Sequence, residues 1–203
     1  MTSDFSKYEI YTSCDSVYCY KGTNILINKL NIRDSAALKT AETELTFLKQ
    51  EFLTDYGITG RFSVTHLKSI HKTLFEDIYS FAGKYRTEQI GKSNTWFYPP
   101  NAIEPTVKKL LDRLKTDRFL RNMDNDQFAD RTAYYMAELN AIHPFREGNG
   151  RTIREFIRQL CLYNDRILDW SKCTKDEVLE ASILSYDDHT ALIPIISKCI
   201  LFQ

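Results

Sequence analysis

The stretch His143-Pro-Phe-Arg-Glu-Gly-Asn-Gly-Arg-Thr-Ile-Arg154 decides how this chain is read. It brings together an imidazole, a carboxylate, two glycines around an asparagine, and two arginines. The Gly-Asn-Gly turn runs into apolar residues at helical spacing (Ile153, Phe156, Ile157, Leu160, Cys161), which predicts a loop feeding a helix over 150–164. Such a junction aims free backbone N–H groups and the positive end of the helix dipole at one spot, a place suited to an anion. Glycine lets the backbone close on a phosphate without a Cβ in the way. Arg151 and Arg154, three apart, share a face of the first turn and can fork onto phosphate oxygens. Glu147 alone would repel an anion, so a Mg²⁺ between carboxylate and phosphate makes sense of it. His143 is the group here that can trade a proton near neutral pH. A base, a metal ligand and a polyphosphate clamp describe a phosphoryl or nucleotidyl transfer site.

Outward from this stretch the chain reads as helical. Leu38, Ala41, Leu45, Leu48 and Phe52 recur at helical spacing and predict an amphipathic helix over 35–54, with Asp34 as N-cap. Further helices are expected over 64–79 (capped by Ser63), 101–116, 126–142, 175–184 and 190–201. Thr174 and Glu177 form a capping box for the one starting at 175. The helix over 126–142 delivers the chain to His143. Residues 1–33 are least legible, with an extended run over 18–23 and a short helix over 24–30 expected. Two β-prone runs, 85–90 and 95–98, flank Gly91-Lys-Ser-Asn94 and predict a hairpin, which Pro99-Pro100 stops.

The composition excludes several classes. With 27 basic and 27 acidic side chains the formal net charge is zero, which argues against nucleic acid as a partner. No apolar run approaches the length of a membrane span, and Met1-Thr2-Ser3-Asp4 is too polar for a secretory signal. Five cysteines without CxxC spacing read as reduced thiols, so a cytoplasmic setting is expected. Gly91-Lys92-Ser93 looks like the end of a P-loop, but Arg86 stands where its leading glycine would be. His66 and His71 lack a third ligand for zinc, and Asp187-Asp188-His189 reads as a cap and turn.

His143-x-Phe145-x-Glu147-Gly148-Asn149-Gly150-Arg151-x-x-Arg154 resembles, position for position, the signature of the Fic family of protein AMP-transferases. Tyr20 to Arg33 is similar to the lead-in of those domains, so the likeness spans from about Tyr20 to the last helix. It implies an all-α Fic fold, a helical bundle with a small β-hairpin flap over the active site. One Fic domain over 1–203 is expected, with a lead-in at 1–33, the flap at 84–100 and the motif at 143–154. The implied activity is transfer of AMP from ATP to a Tyr, Ser or Thr hydroxyl of a target protein. His143 would be the general base and Glu147 the Mg²⁺ ligand. Gly148, Asn149 and Gly150 would bind phosphates through backbone, with a side-chain contact from Asn149. Arg151 and Arg154 would bind the outer phosphates, and Phe145 would anchor the loop in the core. Gly91, Lys92, Ser93, Asn94, Thr95, Trp96 and Phe97 would form the flap that pairs with the target like an added strand.

Gly150 favours AMP over phosphate transfer, because the related kinases carry Lys at that position. Related enzymes moving UMP or phosphocholine remain alternatives, as does an inactive module that only binds an antitoxin. The intact His143 and Glu147 weigh against the last. Many Fic proteins carry an inhibitory Ser/Thr-x-x-x-Glu helix whose glutamate pairs with the second motif arginine. Here Thr40 to Glu44 has that spacing, but Leu45 follows and a solvated Glu44 is expected. The resemblance therefore implies a small helical antitoxin supplying a Glu against Arg154, and a toxin or translocated effector as the setting.

Overall fold

The computed structural model describes residues 10–11, 16–58, 60–92 and 95–201, with backbone alone at 10–11, 92 and 95. Among these, seven α-helices carry the fold: α1 (Ser35–Tyr56), α2 (Val64–Phe75), α3 (Pro100–Thr116), α4 (Asn125–Ile142), α5 (Asn149–Tyr163), α6 (Lys175–Leu184) and α7 (Ile193–Cys199). Their starts follow from capping. Asp34, Ser63, Asp124 and Thr174 each accept a backbone N–H of the first turn, and Thr174 with Glu177 completes the expected capping box. Pro100 sits at the first position of α3, where its missing N–H costs nothing.

Helix α4 runs through the middle, packed on α3, α5 and α7, while α5 also packs on α2. Phe128, Tyr135, Leu139 and Ile142 of α4 and Ile153, Phe156, Ile157 and Leu160 of α5 are buried in one contiguous apolar cluster. The chain leaves α4 at His143 and re-enters helix at Asn149, so the 143–148 loop is held between the two best-packed helices.

The hairpin is shorter and later than its β-prone runs imply. Strands β2 (Gly91–Lys92) and β3 (Thr95–Trp96) pair antiparallel, and β1 (Ile10–Tyr11) adds a third strand on β2. Residues 85–90 are not strand, because the N–H of Arg86 donates to Pro144 and its side chain goes to other carbonyls. Strands β4 (Ile167–Leu168) and β5 (Ile200–Leu201) form a second small antiparallel pair.

Four other expectations need correcting. Residues 24–30 are not helical: a turn over 20–25 with Gly22 at φ 75° folds Leu26 back onto Cys19 in a β-bridge. Helix α2 stops at Phe75, and 76–82 continue as turns closed by bonds such as Tyr79 N–H to Phe75 O. The segment 190–201 is a 3₁₀ turn, then α7, then β5. Helix α1 has the expected position but a different inner face. It buries Leu38, Thr46 and Leu53, while Leu48 and Phe52 are 63% and 49% exposed.

Candidate active site

The loop between α4 and α5 is built from backbone and buried side chains. His143 caps the C-terminus of α4 in the left-handed region (φ 50°, ψ 62°), its N–H bonded to Leu139 O at 3.0 Å. A non-glycine residue held there stores strain, which surrounding bonds must offset. The side chain of Asn149 closes the loop. Its Oδ1 accepts from Phe145 N and its Nδ2 donates to Phe145 O, both at 2.8 Å. The side-chain amide expected to contact phosphate is thus bonded to the loop itself. Phe145 is fully buried and stacks on His71, with centroids 3.9 Å apart.

His71 was a zinc decoy in the sequence and is a brace in the fold. Its Nδ1 accepts from Gly83 N–H at 2.8 Å, so Nε2 carries the proton and donates to Glu147 O at 3.0 Å. Burial pushes its pKa down to about 4, so the ring is neutral. His66 bonds Gln159 at 2.9 Å, joined through Glu155 to Arg158 behind α5.

Gly148 caps α5 at φ 78°, and a Cβ there would lie 2.1 Å from Phe75 Cζ. The first intrahelical bond of α5 is Thr152 N–H to Gly148 O, so the N–H groups of Asn149, Gly150 and Arg151 point out of the helix end without helical acceptors. Here the helix dipole, the glycine approach and two guanidinium groups meet.

The two arginines differ. Arg151 is clasped by α1: one guanidinium nitrogen bonds Glu42, another donates to Thr46 Oγ1 at 3.0 Å, and the plane lies over Phe75 with Cζ 4.7 Å from the centroid. Tyr79 donates its hydroxyl to the other oxygen of Glu42. Glu147 lies 3.7 Å from the same guanidinium and accepts from Gly148 N–H at 2.9 Å. Desolvation first, then the nearby Glu42 charge, raises the Glu147 pKa. Arg154 has no hydrogen-bond or carboxylate partner among the described residues. Burial, and then the Arg151 charge, lowers its pKa to about 10, so it remains a cation in a desolvated place. Glu44 is exposed, as expected.

The flap meets the loop. The Phe97 ring stacks on the His143 ring at 3.9 Å and 10°. Gly91, Lys92, Thr95 and Trp96 form the two strands, with Trp96 61% exposed, and Ser93 and Asn94 lie outside the described residues. Sequence reasoning missed Glu42, Thr46, Tyr79 and the carbonyl contacts of Arg86. Glu42 and Thr46 lie four apart on α1, a polar pair at helical spacing that the apolar template passes over.

A helix N-terminus with outward N–H groups stands beside an imidazole and a carboxylate on a helical bundle, the parts from which a phosphate site is built. The chain belongs to the Fic family: residues 61–161 match the Fic/DOC family model. It is 39% identical to the protein adenylyltransferase VbhT of Bartonella schoenbuchensis over 90% of its own length, but it spans only 38% of that protein. It is 36% identical to "Probable protein adenylyltransferase y4lH" of Sinorhizobium fredii, covering 89% of this chain and 93% of the other. The Bartonella tribocorum BepC structure with bound AMPPNP shares the fold at a TM-score of 0.83 and 24% identity, covering 92% of this chain and 97% of that one. A Bartonella quintana Fic domain with bound ADP matches at 0.83 and 25%, covering 92% and 95%.

Proposed function

We propose that this chain transfers AMP from ATP to a hydroxyl side chain of a target protein and releases pyrophosphate. The observation that carries the reading is the end of α5. Its outward N–H groups and Arg154, half-buried and without a carboxylate partner among the described residues, offer a positive site suited to phosphate. Relatives named as adenylyltransferases over nearly their whole length support the same chemistry.

In this reading the N–H groups of residues 149–151 and Arg154 hold the phosphates, and the acceptor hydroxyl approaches along the flap. His143 takes the acceptor proton, and the acceptor oxygen attacks the α-phosphorus as the pyrophosphate bond breaks. Glu147 would hold a Mg²⁺ against the phosphates, which neutralises charge on the leaving pyrophosphate. The site fits that ion: Glu147 is an oxygen donor with the Glu42 carboxylate close by, a pair that favours a cation against the opposing charges of Arg151 and Arg146.

A small helical antitoxin, inserting a Glu against Arg154, is the proposed inhibitor. The outer face of α1 supports a partner of that kind: Phe47, Leu48, Phe52 and Tyr56 are 59%, 63%, 49% and 77% exposed on one helix. The Bartonella effectors among the solved neighbours support a setting in which such a chain is translocated.

Incubation with ATP and a lysate, read by mass spectrometry, tests the transfer. An adenylyl mass should appear on protein Tyr, Ser or Thr. His143→Ala should cut the rate by ~10²–10⁴ while ATP still binds. Labelling undiminished in His143→Ala would remove the base from the reading. A different added mass would replace AMP by another group.

A further inference from the structure

Arg86 lies outside the 143–154 motif and outside the flap strands, yet only 2% of it is exposed. Burying a guanidinium is costly unless its donors are matched. No carboxylate pairs with it among the described residues. Backbone carbonyls take its donors instead: Nε donates to His143 O at 2.9 Å, one terminal nitrogen to Glu88 O at 2.8 Å, and the other to Tyr98 O at 2.5 Å and Ile142 O at 3.3 Å. Its own N–H donates to Pro144 O at 3.0 Å. Two of these acceptors are the last carbonyls of α4, where the helix dipole is negative and welcomes a cation. The other two, Glu88 and Tyr98, lie on the two legs of the flap.

One rigid fork therefore spans the end of α4, the strained His143 backbone and both legs of the flap. The far leg then stacks Phe97 on the His143 ring. A lysine could not do this, since one ammonium cannot reach four separated carbonyls in a plane. We propose that Arg86 is a positioning residue that locks the flap and His143 into one unit, so that a segment paired to the flap presents its hydroxyl at the imidazole. This rests on the transfer reading above and adds to it a residue that touches neither substrate.

The phosphate cradle is held by Asn149, His71 and Phe75, none of which bonds Arg86 among the described residues. Arg86→Lys and Arg86→Gln should therefore keep nucleotide affinity while kcat/KM for the protein acceptor drops ~100-fold, the cost of roughly 1 Å of misplacement. Amide hydrogen exchange should quicken together at 88–98 and at 142–143 in both variants. A folded Arg86→Lys with wild-type transfer, or a loss of nucleotide affinity equal to the loss of rate, would overturn the proposal. Should neither variant fold, wild-type exchange decides: the flap legs and the 142–143 amides should open with one common free energy, and separate openings would overturn it. Exchange needs no activity, so an inert wild-type chain with common opening would defeat the transfer reading and the positioning role that rests on it, and leave only the lock between flap and His143 standing.

Discussion

Helices α5 and α1 face each other across the candidate phosphate site and are held by opposite means. α5 buries nine of its fifteen residues, with Ile153, Phe156, Ile157 and Leu160 in the common core. α1 is 22 residues long and buries three. Between Leu38 and Leu53, its two buried apolar residues, what turns α1 inward is a polar line, Glu42 and Thr46, drawn onto Arg151 and Tyr79. An apolar stripe locks a helix through many contacts that no single substitution abolishes. A polar line locks it through a few bonds, each sensitive to charge.

The hardest blow to the α5 side is Gly148→Ala. A Cβ there must adopt φ near 78° and displace the Phe75 ring 2.1 Å away. Left-handed strain and overpacking together should lower stability by about 3–4 kcal/mol, read by denaturant unfolding. Gly150→Ala is the contrast, since its Cβ would meet only the end of the Arg154 side chain at 3.2 Å. It should fold normally and weaken nucleotide binding. If the two alanines cost the same stability, close packing of the cradle on α2 is not what holds it.

A smaller effect comes from acid. His71 has a folded pKa of about 4 against 6.5 unfolded, so its neutral form is the one the fold holds. The stability it contributes is full above pH 6.5 and is lost as the pH falls towards 4. Between pH 6.5 and 5 the loss should be about 2 kcal/mol, with His66, also lowered by burial, acting in the same direction. Thermal unfolding across that window checks it, and His71→Gln should flatten the curve. A wild-type curve already flat there would mean that the ring charges without disturbing the loop.

The mildest change is on the α1 side. Glu42→Gln keeps a hydrogen bond to Arg151 and removes one negative charge beside the phosphates. Stability should fall by about 1 kcal/mol, while ATP binds a few-fold tighter. Thermal unfolding reads the first change and calorimetric titration with ATP the second. Weaker ATP binding would show that Glu42 holds Arg151 ready for phosphate and does not compete for it.

The same contrast explains what could be read in advance. α5 announces itself because apolar residues recur every three to four positions and face a core. For α1 the same template picks Leu48 and Phe52, which point to solvent, and passes over Glu42 and Thr46. The flap hairpin is visible in its β-prone runs, but the role of Arg86 is not. Its acceptors are backbone carbonyls 2, 12, 56 and 57 positions away, and a carbonyl leaves no mark in a sequence.

By itself the sequence determined the helical bundle, the caps that start three of its helices (Asp34, Ser63 and Thr174) and the chemical inventory of 143–154. These depend on local periodicity and on side chains acting near their own backbone. Only the tertiary structure decided that Asn149 serves the loop, that Arg151 is clasped while Arg154 is not, and that Arg86 ties the flap to His143. Those outcomes turn on which buried donor meets which distant acceptor, and burial makes each such pairing too costly to leave unmade.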